Sequence, residues 1–228
     1  MKLLNLIEHF KYTVLKGDTS IDVDKVIFDS RKAEPGALFV CISGAVTDGH
    51  RYIQDVVSKG ARAVIVEGTE HDISAVPDNV TVIAADDTRY ALACVSAAWF
   101  GHPAQQLKTI GITGTKGKTT TTYMVKSILE NAGYKVGLIG TIETVIGDKS
   151  IPASNTTPES YIIQESFRKM VDSGCDAVVM EVSSQGLMLH RTSGFVFDYG
   201  IFTNIRPDHI GPHEHKDFDD ISDANPCC

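Results

Sequence analysis

The sequence predicts an α/β fold in two parts, a small α/β domain over residues 1–87 and a parallel-sheet domain over residues 88–228. Three observations predict it. Apolar runs of strand length recur along the chain, among them "ALFVCI", "RAVIVEG", "KVGLIGT" and "CDAVVMEV", and runs apolar on both faces belong in sheets covered on both sides. Between them lie segments with helical spacing, several closed by Gly or Pro. The 228 residues, 43% hydrophobic and 22% charged, are those of an ordinary globular protein with one large core or two smaller ones.

In order, "KVIFDSRKAEPGALFVCISG" reads as strand, turn and strand, with "AEPG" at the turn. "HRYIQDVVSKGA" has helical spacing and ends at Gly60. "RAVIVEG" and "VTVIAADD" follow as buried strands and complete a small α/β unit. "DTRYALACVSAAWFGHP" opens on a cap at Asp87 and stops at Gly101 and Pro103, so it reads as the helix that carries the chain into the second domain. From there "LKTIGITG", "KVGLIGT", "CDAVVMEV" and "FDYGIFTNI" are strands, and "KTTTTYMVKSILENAG" and "PESYIIQESFRKMVDSG" are helices. Such alternation indicates a parallel sheet covered by helices. There is no internal repeat and no low-complexity segment.

A formal charge of -8, with Lys and Arg scattered, argues against a nucleic-acid surface. No apolar run approaches the ~20 residues of a membrane helix, and "MKLLNLIEHFKY" has acidic and polar residues within its first turns, so it does not read as a signal peptide. Cys41, Cys94 and Cys175 sit singly in apolar segments and read as small core residues. Cys227 and Cys228 follow a tail without a structural pattern. Without paired spacing, a reducing cytoplasm is the expected compartment.

Residues 111–125, "GITGTKGKTTTTYMV", hold three glycines, two lysines and six threonines at a strand-to-helix turn. There the first helical N–H groups are unpaired and the helix dipole is positive, which suits an anion. Gly114 and Gly117 let the backbone approach phosphate oxygens, Lys118 can reach the terminal phosphates, and the Thr119 hydroxyl can hold Mg²⁺. The full P-loop string requires Gly where Ile112 stands, so this is the shorter G-T-x-G-K-T form, Gly114, Thr115, Lys116, Gly117, Lys118 and Thr119. The Lys118 side chain is expected to be open to solvent. Such a loop by itself does not separate a kinase, a GTPase and a ligase. Acidic groups for the metal are expected at neighbouring strand ends: one strand ends at Glu181 with two serines beyond it, and another ends at Asn204 with Asp208 and His209 in the following loop. His213 and His215, two apart in a polar segment, read as solvated side chains.

Together these three strand ends resemble the Mur ligase family, ATP-dependent amide-forming enzymes of peptidoglycan synthesis. "GTKGKTT" resembles its shortened ATP loop, "MEVSSQGL" its acidic strand end and "FTNIRPDHIGPHEH" its Asn…Asp-His segment. "DSR" at Asp29–Arg31, "NTTPES" from Asn155 and "EVSSQGLMLHR" from Glu181 look most like the branch that joins a third amino acid to UDP-N-acetylmuramoyl-L-alanyl-D-glutamate. The resemblance implies a small N-terminal α/β UDP-substrate domain followed by an incomplete P-loop-type parallel-sheet ATPase domain. It implies that Gly114, Thr115, Lys116, Gly117, Lys118, Thr119 and Thr120 hold ATP, with Asn204 near the nucleotide. Thr119, Glu181 and His209 would serve magnesium, and Lys118, Glu181 and His209 would be the catalytic set. Ser30 would contact the UDP end, and Asn155, Thr156, Thr157, Ser183 and Arg191 the muramoyl-dipeptide portion. Phosphoryl transfer to the substrate carboxylate would give an acyl phosphate that the amine attacks, chemistry that needs charge neutralisation above all.

Gln185 stands where many relatives have His, and Leu189 replaces a polar residue. After "HKDFDD" the family continues into a helix with a metal-bridging carbamoylated lysine, whereas here the sequence reads "ISDANPCC". The expectation is therefore a truncated or frame-shifted, inactive piece, in which the third amino acid cannot be read. The alternatives are another ligase with the same loop (D-Ala-D-Ala-adding, folylpolyglutamate or cyanophycin type) and a non-catalytic nucleotide- or UDP-sugar-binding module.

Overall fold

Two separate sheets organise the chain in a computed structural model that describes residues 1–44 and 47–206. The chain divides into two compact units, one ending at Trp99 and the next beginning at Phe100.

The first unit contains α1 (Leu3–Ile7), β1 (Tyr12–Lys16), β2 (Lys25–Ile27), β3 (Ala37–Val40), α2 (Ile53–Ser58), β4 (Ala63–Glu67), β5 (Thr81–Ala85) and α3 (Thr88–Trp99). Its sheet runs β1-β5-β4-β3-β2. The strands β2 to β5 are mutually parallel and β1 is antiparallel to β5. All residues of β3 and β5 are buried, as their largely apolar sequences require. Phe39, Val64, Val66 and Val82 pack with Val56 of α2 on one face. The helix α3 packs against α1 and the strands β2, β3 and β4. Its run of small residues, Ala91, Ala93, Cys94, Ala97 and Ala98, is buried and lets it sit close to its neighbours. The helix expected to lead out of the first domain is thus part of that unit, and the boundary falls after Trp99 rather than at Asp87.

The second unit contains β6 (Lys108–Thr113), α4 (Lys118–Asn131), β7 (Val136–Ile139), β8 (Glu143–Ile146), β9 (Lys149–Pro152), α5 (Ser160–Asp172), β10 (Ala177–Glu181), α6 (Ser184–Met188) and β11 (Tyr199–Phe202). The order is β11-β6-β10-β7-β8-β9. The first four are parallel, but β8 and β9 form an antiparallel hairpin at the edge, so the sheet is mixed. On one face Val125 and Leu129 of α4 cover Ile110, Ile112, Val136 and Val179. On the other, Ile163, Phe167 and Met170 of α5 cover Val178, Met180 and Ile139. The parallel register brings the carboxyl ends of β11, β6, β10 and β7 to one edge, and their following loops carry the candidate site. The three cysteines Cys41, Cys94 and Cys175 are buried and unpaired, as expected. Among the described residues no helix is long and apolar enough to cross a membrane.

Candidate nucleotide and cation site

The glycine-rich loop leaves β6 at Thr113 and enters α4 at Lys118. Gly117 is the N-cap of α4, in the left-handed region at φ 87°, with no side chain capping the helix and no acidic residue in its first turn. The N-terminus of α4 therefore has the polarity that suits an anion. Gly114, at φ 125°, has a different cause: a Cβ there would lie 2.3 Å from Thr203 Oγ1 and 2.7 Å from the Asn204 carbonyl. The segment after β11 presses on the loop at that point. Glycine at 114 therefore lets the two loops pack closely.

That segment pins the loop with several hydrogen bonds. Thr115 N donates to the Asn204 carbonyl at 2.9 Å and Lys116 N to Asn204 Oδ1 at 3.1 Å, while Asn204 Nδ2 donates to the Lys116 carbonyl at 2.8 Å. Thr203 Oγ1 donates to the same carbonyl at 2.8 Å. Asn204 thus joins the loop by reading its backbone. Lys118 is half-buried, contrary to the open position expected, because its Nζ folds back on the Gly114 carbonyl at 2.7 Å. Lys116, Gly117 and Thr120 are exposed and Thr115 and Thr119 half-buried.

Glu181 ends β10 with no accessible surface. Thr119 Oγ1 donates to its Oε2 at 2.8 Å, Thr141 N to its Oε1 at 2.9 Å, and Thr141 Oγ1 to Oε2 at 3.1 Å. A Cβ on Gly140 would stand 2.4 Å from Glu181 Oε1, so glycine is needed to let the carboxylate lie there. Among the described residues no basic side chain pairs with Glu181. A buried carboxylate held only by neutral donors favours a cation, and carboxylate with hydroxyl oxygen is the donor chemistry of Mg²⁺. The residues present fit that ion. His209, the third expected ligand, lies outside the described residues, as do Asp208, His213 and His215, and among the described residues no cluster of three His, Cys, Asp or Glu side chains is placed to hold a metal.

Beyond Glu181, Ser183 caps α6 by accepting from Gly186 N at 3.0 Å. Thr157 is buried, donating to the Glu181 carbonyl at 3.1 Å and accepting from Ser183 N at 2.9 Å. Thr156 Oγ1 lies 3.0 Å from Thr141 Oγ1, and Asn155 is exposed. Arg191 is already engaged: Nε and NH2 reach Glu159 Oε1 at 3.0 and 2.9 Å, and NH1 donates to the Thr157 carbonyl at 3.1 Å. Thr156, Thr157, Ser183 and Arg191 are thus linked by hydrogen bonds into one patch continuous with Glu181, and Asn155 precedes Thr156 in the chain. Ser30 belongs to the first unit, half-buried in a 3₁₀ turn whose Asp29 binds the Arg31 guanidinium at 2.8 and 2.9 Å. That guanidinium holds the Asp29 carboxyl below the usual carboxylate range. Sequence reasoning missed Gly140 and Thr141. The apolar run "KVGLIGT" ending at Thr141 was the available signal, because its strand ends at the same sheet edge as Glu181.

Parallel strands whose ends gather a lysine-bearing glycine loop, a buried carboxylate and hydroxyl donors give the chain the layout of a nucleotide-loop α/β protein. Comparisons with known proteins narrow the class. Residues 112–225 match the Mur ligase middle domain and residues 22–110 the Mur ligase family catalytic domain. The UDP-N-acetylmuramoyl-L-alanyl-D-glutamate--2,6-diaminopimelate ligase of Clostridium perfringens is 47% identical over 224 residues, covering 98% of this chain and 45% of its own length. That of Bacillus licheniformis is 45% identical over 215 residues, covering 94% and 43%. A solved structure of a ligase of the same name superposes with a TM-score of 0.78 at 19% identity, over 98% of this chain and 44% of that one. The MurF ligase of Thermotoga maritima in complex with ADP superposes at 0.56 and 20% identity, over 88% and 41%; both are likenesses of fold. The chain belongs to the Mur ligase family. It spans less than half the length of these curated relatives.

Proposed function

We propose that this chain holds ATP, magnesium and a UDP-linked muramoyl dipeptide for an ATP-dependent ligase that adds the third amino acid to UDP-N-acetylmuramoyl-L-alanyl-D-glutamate in cytoplasmic peptidoglycan synthesis. The observation that carries it is the Thr119–Glu181 contact, which sets a hydroxyl and a buried carboxylate beside the Lys118 loop. The 47% identity to a 2,6-diaminopimelate ligase supports the substrate class and makes a diamino acid the favoured third residue.

Lys118 and the first-turn amides of α4 hold the terminal phosphates, and Asn204 keeps the loop in register beneath them. Thr119 and Glu181, with His209, would hold Mg²⁺, and the ion when bound would supply neutralisation of phosphate charge during phosphoryl transfer. Thr156, Thr157, Ser183 and Arg191 orient the dipeptide portion beside that centre, and Asn155 lies at its open rim. Arg191, fixed by Glu159, presents its remaining face to the substrate's anionic groups. Ser30 holds the UDP end in the first unit.

The test is calorimetric titration with ATP and Mg²⁺ of the wild type and Lys118→Ala, with circular dichroism as the folding control. Losing a charge-assisted contact to phosphate is expected to weaken binding at least about tenfold, with the spectrum unchanged. Equal affinity in the variant would sink the loop's assignment.

A further inference from the structure

Tyr123 and Glu143 lie outside the loop, yet both connect to the surroundings of Glu181. Tyr123 sits one turn after Thr119 on α4, and its hydroxyl donates to Glu143 Oε1 at 2.6 Å. Ser150 on β9 donates to the other carboxylate oxygen, Oε2. The Glu143 carbonyl accepts from Gly140 N at 3.1 Å and closes the turn that carries Thr141. Glu181 is therefore gripped from two sides, by Thr119 of α4 and by Thr141 of that turn. The Tyr123–Glu143 bond joins the same two elements a second time.

The hairpin needs such a tie. It is the edge of the sheet, β8 meets β7 at Leu138–Val145 and Ile139–Thr144, and every residue of β9 is exposed. We propose that Tyr123 and Glu143 form a strut that fixes the spacing of Thr119 and Thr141 around the Glu181 carboxylate, and through it the affinity of the site for a divalent cation. They are positioning residues, and the inference rests on reading Thr119 and Glu181 as the cation's ligands. A phenol donating to a carboxylate is a charge-assisted bond, stronger than a neutral pair. Burial and the two neighbouring carboxylates, Glu143 and Glu181, push the Tyr123 hydroxyl up to about 12, so it remains a donor at neutral pH.

The experiment measures the ATP affinity of the full chain by calorimetry with Mg²⁺ and with EDTA, for the wild type, Tyr123→Phe, Glu143→Gln and Glu143→Ala. Tyr123→Phe keeps the ring and removes one donor. The expected result is that the gain in affinity conferred by Mg²⁺ falls about fivefold in Tyr123→Phe and Glu143→Ala, while affinity in EDTA stays within about twofold. Glu143→Gln, which keeps an oxygen for the phenol, should lose less. A wild-type Mg²⁺ gain in Tyr123→Phe overturns the strut. So does an equal loss with Mg²⁺ and with EDTA, since that reports damage to the nucleotide loop rather than to the cation site. A wild type whose ATP affinity ignores Mg²⁺ overturns the cation reading itself, and the strut with it.

Discussion

Gly114 and Gly117 occupy one short loop with positive φ, and the structure separates their causes. Around Gly117 a Cβ would meet nothing within 4 Å, so Gly117→Ala carries only the left-handed backbone cost, roughly 1–2 kcal/mol. At Gly114 the same change also drives a methyl into Thr203 and the Asn204 backbone. Overpacking of that kind adds about 1–3 kcal/mol, so urea denaturation should find Gly114→Ala clearly the less stable. Similar midpoints for the two would show that the Asn204 segment is not packed on the loop. Tyr123 supplies a second check at this scale. Its folded-state pKa is raised, so its contribution to stability is complete below the unfolded tyrosine value of about 10 and is lost as pH rises from there towards about 12. Tyr123→Phe should therefore flatten the alkaline part of the stability profile and remove one late-titrating phenol from the ultraviolet titration. Residues such as Lys118, Glu181 and Asn204 were legible because each stands at or just beyond the end of an element, Lys118 at the start of α4 and the other two where strands run out. Thr141, Tyr123 and Glu143 were not. They are common residue types whose meaning arises only when a helix, a turn and an edge hairpin converge, and spacing along the sequence carries no record of that convergence.

At the scale of elements, the buried parallel strands were readable because they are apolar throughout, and α5 because Ile163, Phe167 and Met170 fall on one face. The elements missed are those without that signature. The strand β1 has exposed residues at Thr13 and Val14, β9 is exposed along its length, and α1 and α6 are five residues each. Pairing geometry decides such edge elements, and their own composition says little about it. The strand β11 shows how an edge is held: Asp198 Oδ2 accepts from Thr109 N at 2.8 Å and Thr109 Oγ1 at 3.1 Å, and Asp198 N donates back to that hydroxyl at 3.0 Å. The Thr109 amide and hydroxyl lower the Asp198 carboxyl below its usual value. A depressed carboxyl stabilises the fold above the unfolded value of about 3.9 and loses that contribution as pH falls through the folded one. Asp198→Asn should accordingly lower the urea midpoint at pH 7, and the gap from wild type should close below about pH 4. A gap independent of pH would mean that the charge of Asp198 contributes nothing to holding β11.

On the scale of the whole molecule, the question is which stretch of chain is a folding unit. The sequence places a boundary at Asp87, where a helix cap begins, but a cap marks the start of a helix and not which sheet the helix covers. In the structure α3 lies on the first unit, beside α1 and over β2, β3 and β4. Strand alternation turns Leu38, Ile65 and Ile83 away from the face that holds Phe39, Val64 and Val82. Those three, with Leu3, Leu6 and Ile7 of α1 and Leu92 of α3, are fully buried. Each is worth about 1.5–3 kcal/mol. Stripping their cover would remove an amount comparable with the roughly 5–15 kcal/mol by which a domain is stable. A chain of residues 1–99 should therefore unfold cooperatively and give dispersed amide resonances, and one of residues 1–87 should not. The longer piece also isolates the proposed UDP contact from the nucleotide loop, since Ser30 belongs to it. Adding UDP-N-acetylmuramoyl-L-alanyl-D-glutamate at millimolar concentration should shift amides around Ser30 in residues 1–99 with no ATP present. A folded 1–99 whose spectrum ignores the ligand would remove Ser30 from the site, and a 1–87 chain as stable as 1–99 would show that α3 is not part of the first core.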